Sequence, residues 1–276
     1  MKGDVDRLKA AIVVSTPDAE FEALAFKDSL KNSVERVARL GFDGIEIAVR
    51  NPITVNVSEI MDTIEKNGIE VPAVGTGQAF GQEGLSLSDP DEEVRRKTLE
   101  RLKLQVEFAA RFKAKVILGL IRGNIQKGVK REDAFRWLIE GVKRCADYAE
   151  GYGTDILIEP INRYEVNLIN TVDECLDLIK IVDRNNVFIL VDTFHMNIEE
   201  PDIAKSIKKA DKRIGHVHVA DSNRWAPGFG HIDFSEINRA LKEVDYDGYI
   251  SAEILPMPDP DAAARQAIKA IKGVFI

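Results

Sequence analysis

The sequence predicts an α/β fold, a (β/α)8 TIM barrel, with residues 1–276 forming one domain. Short runs rich in Val and Ile alternate with longer amphipathic runs, and the alternation repeats eight times. A length of 276 residues suits one such barrel. No linker, low-complexity tract or shift in composition divides the chain, and its 45% hydrophobic residues can fill a sizeable core.

The strand candidates are Ala10–Ser15, Gly44–Val49, Val71–Gly75, Lys115–Leu120, Asp155–Glu159, Val187–Asp192, Gly215–Ala220 and Tyr249–Ile254. Each is a short apolar run, as expected of parallel strands covered on both faces. Between them, apolar residues recur at helical spacing. Val34, Val37, Ala38 and Leu40 form one stripe, and Ile237, Leu241 and Val244 another. Gly41 and Gly68 sit where helices should stop, Ser58 is a candidate cap for the second helix, and Asp89-Pro90 opens the long charged one. The stretch from Gly75 to Pro90 is glycine-rich and lacks the Gly-Lys-Ser/Thr ending of a phosphate loop, so it reads as a flap over the barrel mouth. A doubly wound sheet is the competing architecture. Its glycine fingerprint is replaced after the first strand by Ser15-Thr16-Pro17-Asp18.

Composition narrows the function. With 46 acidic against 38 basic residues the formal charge is −8, which argues against nucleic acid or an anionic membrane as partner. The apolar run Ala10 to Val14, behind Asp4 and Asp6, is too short for a signal-peptide core, and no stretch has the length of a membrane span. A soluble, cytoplasmic protein is expected. Cys145 and Cys175 form no disulfide framework or zinc motif and read as small buried residues. The chain has only four histidines, His195, His216, His218 and His231, all in its last third.

Chemistry in a barrel gathers where strands end at the C-terminal face. Strand five ends in Glu159 and strand six in Asp192; strand seven carries His216 and His218, and strand eight places Glu253 near its end. With a period of two, Glu159, Asp192, His218 and Glu253 share the inward side with Leu157, Leu190, His216 and Ser251. The outward set (Ile158, Val191, Val217, Val219 and Ala252) is wholly apolar. Three carboxylates and an imidazole converging on an apolar barrel end would repel one another, and a divalent cation resolves this. Oxygen and nitrogen donors without thiolate favour Mn²⁺, Mg²⁺ or Co²⁺ over a structural zinc site.

These residues resemble the xylose-isomerase-like barrel superfamily and, within it, the ketose 3-epimerases of the D-tagatose/D-psicose type. The likeness spans essentially the whole chain and is strongest from Asp155 to Leu255. It is carried by Glu159-Pro160-Ile161-Asn162, Asp192-Thr193-Phe194-His195, His216-Val217-His218-Val219-Ala220-Asp221 and Gly230-His231-Ile232-Asp233, and by ligand spacings of 33, 26 and 35. The resemblance implies that Glu159, Asp192, His218 and Glu253 bind one metal, usually Mn²⁺, and that Glu159 and Glu253 double as the acid/base pair. It also implies that Glu165, His195 and Arg224 contact a small sugar substrate. His216 is either a support for the site or a core histidine, and His231 either orients a ligand or caps a loop. Similar proteins form dimers or tetramers, so a homo-oligomer is compatible with the resemblance, although no seam is legible.

Such an enzyme removes the proton beside a ketone, passes through a cis-enediolate and returns a proton on the opposite face. An aldose–ketose isomerase of the hydroxypyruvate type would share that intermediate, and a keto-inositol dehydratase would share the proton abstraction. A DNA-repair endonuclease fits the acidic charge poorly, and a non-catalytic sugar-binding protein would not need both glutamates. Arg50, Arg122, Arg163 and Arg224 all follow strands. If two of them face the mouth, a keto-sugar acid becomes a substrate candidate beside a neutral ketose.

Overall fold

Eight parallel strands close into a barrel in the computed structural model, which describes residues 8–276. Asp4 and Asp6 lie outside the described residues. The strands are β1 (Lys9–Ser15), β2 (Gly44–Ala48), β3 (Ala73–Gly75), β4 (Lys115–Leu118), β5 (Ile156–Ile158), β6 (Val187–Asp192), β7 (Ile214–Val219) and β8 (Tyr249–Ala252). Each pairs with the next, and β8 pairs with β1 to close the ring. All eight expected strands are therefore present. A two-residue strand, Phe26–Lys27, adds to β1 outside the ring and had no signal in the sequence.

The expected inward and outward faces hold. Ala73, Ile117, Leu157 and Leu190 pack together inside the barrel, while Ile158, Val191, Val217, Val219 and Ala252 join the large core beneath the helices. The β6–β7 register shifts between Ile189 and Leu190, so that Leu190 pairs with His216 and Asp192 with His218. The bulge centres on Gly215, where a Cβ would lie 2.6 Å from Leu157 and 2.7 Å from Phe188. A bare backbone at that point lets β7 shift by one residue and set His218 level with Asp192.

Helix ends show how tertiary context chooses among similar signals. Gly41 and Gly68 do end their helices in the left-handed region, with φ of 87° and 62°. The second helix, however, starts at Val57 under an Asn56 cap rather than at Ser58. The long charged helix is Glu92–Ala110, capped by Asp91, with Asp89 bonding the Asp91 amide one step earlier. The expected flap from Gly75 to Pro90 contains the helix Gly77–Glu83 and then buries Leu87 and Ser88. Its apolar side chains find partners on the barrel, so it forms part of the wall. Both cysteines are free and buried, and burial pushes the Cys145 thiol up to about 12.

Candidate metal centre

Glu159 follows β5, Asp192 closes β6, His218 lies on β7 and Glu253 follows β8, and their side chains meet at the C-terminal mouth. One donor atom from each lies within 4.8 Å of the other three. His218 Nδ1 is 3.7 Å from both Glu159 Oε1 and Asp192 Oδ2, and 4.0 Å from Glu253 Oε1. Those separations are too long for hydrogen bonds. They suit atoms surrounding one ion with bonds of roughly 2.0–2.6 Å. Glu159 Oε1, Asp192 Oδ2 and His218 Nδ1 are also buried with no hydrogen-bond partner. Three orphaned polar atoms at one point are costly unless a cation satisfies them.

The opposite side of each group is held by protein. Asp192 Oδ1 accepts the amides of Phe194 and His195, capping the helix Thr193–Glu199 and turning Oδ2 inward. Glu253 Oε2 accepts from Arg224 Nη2 at 3.0 Å. Glu159 Oε2 lies against Gly119, where a Cβ would stand 2.5 Å away, so the bare backbone makes room for the carboxylate. The Glu159 backbone is anchored by Arg122. This fully buried guanidinium donates to the carbonyls of Glu159, Gly119, Leu168 and Ile169.

His218 Nε2 sits 2.9 and 3.1 Å from the two Glu46 oxygens, and His216 Nε2 and Ser251 Oγ reach the same carboxylate. A carboxylate that takes the Nε2 proton leaves the Nδ1 lone pair facing the cluster. Burial opposes ionisation of Glu46, yet His218 and His216 together hold it well below the usual carboxylate range. His216 thus supports Glu46. His231, by contrast, is exposed and bonds Ser222 in its own loop. Glu46 was not picked out from the sequence. Its signal was available: it is the one charged residue inside the apolar run from Gly44 to Val49.

Replacing Glu46 by Gln should weaken divalent-metal affinity by roughly 10- to 100-fold, because His218 loses the partner that fixes its ring. His218→Ala should weaken it further and His231→Ala should leave it unchanged. Calorimetric titration with Mn²⁺ reads all three, and equal affinities for wild type and Glu46→Gln would remove Glu46 from the site.

Protons compete for the same position. Burial, aided by the Glu159 and Asp192 charges, pushes the Glu253 carboxyl up to about 8. Burial disfavours a charged His218, but Glu46, Asp192 and Glu159 outweigh it and raise the imidazole well above its ordinary value. Both folded-state values exceed the unfolded ones, so the metal-free fold holds extra protons and loses stability as pH rises through this window. A divalent ion held by these side chains would displace those protons. The rise in melting temperature on adding Mn²⁺ should therefore be larger at about pH 9 than at about pH 6. A pH-independent increment would contradict proton displacement.

Glu165, His195 and Arg224 line the same pocket. Arg224 donates to Glu165 Oε1 at 2.9 Å as well as to Glu253, and its guanidinium stacks over Phe194 and Phe21 at 4.8 and 5.2 Å. Asn162 Nδ2 lies 2.8 Å from His195 Nδ1, which assigns the ring proton to Nε2, 3.9 Å from Glu159 Oε1. Of the four arginines near strand ends, only Arg224 lines the pocket. Arg50 pairs with Asp18 and Glu83, Arg163 with Glu199, and Arg122 spends its donors on carbonyls. The condition for a keto-sugar acid, two inward arginines, is not met.

The sequence profile of the xylose isomerase-like TIM barrel family matches residues 34–274. The chain belongs to that family. Among xylose isomerase-like barrels it is similar to D-psicose 3-epimerase of Ruminiclostridium cellulolyticum, with 33% identity over 254 residues, covering 89% of this chain and 83% of the relative. It is 29% identical to 3-dehydro-D-guloside 4-epimerase of Escherichia coli K12 over 252 residues, covering 88% and 94% of the two chains. The crystal structure of D-psicose 3-epimerase with D-tagatose from Clostridium cellulolyticum H10 superposes with a TM-score of 0.84. It shares 29% identity and covers 97% of this chain and 99% of its own. With such relatives, this member of the xylose isomerase-like TIM barrel family is a carbohydrate epimerase or isomerase. Among the described residues no helix is long and apolar enough to cross a membrane.

Proposed function

We propose that the protein is a divalent-metal-dependent 3-epimerase of small neutral ketoses, with Glu159 and Glu253 as the proton-exchanging pair. The reading rests on two carboxylates, from the ends of β5 and β8, that face one point in a pocket with an orphaned donor set. Glu159, Asp192, His218 and Glu253 would hold the metal, with Mn²⁺ the first choice and Mg²⁺ or Co²⁺ alternatives of the same chemistry. When bound, the ion supplies a fixed positive charge that lowers the acidity barrier beside the ketone.

The chain's own residues do the rest. One glutamate removes the proton beside the carbonyl, and the other protonates the opposite face of the cis-enediolate; the roles exchange with direction. His195 presents its Nε2 proton to developing oxyanion charge, and Asn162 keeps that tautomer in place. Arg224 positions Glu253 and Glu165 and cannot itself deprotonate. Phe21 and Phe194, against the guanidinium, limit water around that charge. Two free, buried cysteines suit a reducing compartment and support a cytoplasmic location.

Incubation in deuterated water with Mn²⁺ and D-psicose, D-tagatose or L-ribulose tests this directly. Deuterium should enter at carbon 3 together with formation of the 3-epimer. An aldose product would favour the isomerase alternative, deuterium at carbon 4 a 4-epimerase, and no exchange with any ketose would overturn the reading.

A further inference from the structure

The side of the pocket away from the metal candidates holds a polar group that no intramolecular contact explains. In the ring of eight, β2 stands opposite β6, so the ends of β1 to β3 face Asp192 across the mouth. That wall presents the apolar side chains of Val13, Leu24 and Ala48 beside Glu46. Into it the helix Gly77–Glu83 sends Gln78, which is only 4% exposed. The amide orientation is fixed. Ser15 Oγ donates to the Ala48 carbonyl at 2.6 Å, so it can only accept from Gln78 Nε2, which also donates to the Ala48 carbonyl at 3.0 Å. The other end, Oε1, is buried without any partner. A buried acceptor oriented by two bonds and left unpaired in this pocket wall is the arrangement that selects for a donor hydroxyl on a ligand.

We propose that Gln78 is a specificity-determining residue, its Oε1 accepting a hydrogen bond from one hydroxyl on the ketose carbons beyond the reacting centre. This rests on the ketose reading given above and sharpens it. The substrate is recognised at its far end by one uncharged acceptor, and among the described residues no free cation lines that wall for a phosphate or carboxylate. A sugar lacking the matching hydroxyl leaves Oε1 unpaired in the complex, whereas a sugar that has it gains a bond at no cost in ordering the side chain.

The test compares D-psicose with its 4-deoxy, 5-deoxy and 6-deoxy counterparts, using solvent-deuterium exchange at carbon 3 to obtain kcat/KM for wild type and Gln78→Met. One deoxy sugar should lose at least about tenfold in the wild type. Gln78→Met should lose a similar factor on D-psicose and treat that deoxy sugar and its parent alike, with Mn²⁺ affinity unchanged. The wild-type arm stands even if the variant folds poorly. All three deoxy sugars exchanging within twofold of D-psicose would overturn the role of Gln78, as would a variant that keeps the wild-type preference. Absence of exchange with every ketose, deoxy or not, would instead show that the epimerase reading has failed and this one with it.

Discussion

Glu159→Gln and Glu253→Gln should each lower epimerisation by at least about a thousandfold while the barrel stays folded. The amide keeps the shape of the carboxylate and removes both its charge and its capacity to take a proton. With each glutamate serving one face of the sugar, as proposed, the two losses should differ in kind. A variant loaded at saturating Mn²⁺ should still exchange the proton of one epimer with solvent, yet form almost none of the other. Circular dichroism confirms the fold, and metal titration separates lost chemistry from lost ion. Near-native turnover in either variant would sink the two-carboxylate scheme.

Arg122→Met should destabilise the protein by roughly 3–5 kcal/mol, among the largest single-site effects available outside the metal cluster. Burial, only partly offset by the nearby Glu159 charge, pulls the guanidinium down to about 10, which still leaves it charged at neutral pH. Its donors satisfy four buried carbonyls, at distances from 2.6 to 3.1 Å. Met fills much of the volume and satisfies none of them. Lys should rescue only part of the loss, since a single ammonium cannot span the directions of a planar fork. Because one of those carbonyls belongs to Glu159, the variant should also bind Mn²⁺ more weakly at temperatures where it remains folded. Urea denaturation measures the first effect, and a change below about 1 kcal/mol would contradict it.

Much of this arrangement was legible in the sequence because barrel strands impose a period of two and end at the face that carries chemistry. Glu159, Asp192, His218 and Glu253 each terminate an apolar run, so topology alone brings them to one rim. What the sequence concealed depends on distant pairing. Glu46 meets His216 and His218 from 170 and 172 positions away, and a lone Glu within a strand does not announce its partner. Gln78 was hidden by a segment whose glycines weaken helix propensity; packing against the barrel makes it helical nonetheless. Cap positions slipped by two residues because Asn56 and Ser58, like Asp89 and Asp91, are equally competent in isolation. The arginines near strand ends looked alike until their carboxylate and carbonyl partners were in view.

Asp192 carries a consequence for how this protein can vary. One oxygen of its carboxylate starts a helix and the other faces the metal candidates, so a single side chain answers to two selective pressures at once. Asn can inherit the first duty without the second. Asp192→Asn should therefore accumulate in cells at close to normal levels as an inert protein, whereas Asp192→Ala should be depleted as well as inactive. A survey of variants scored by abundance alone would pass the first and reject the second, although neither should turn over substrate. Comparing the two scores, position by position, would separate residues that build this barrel from those that only use it.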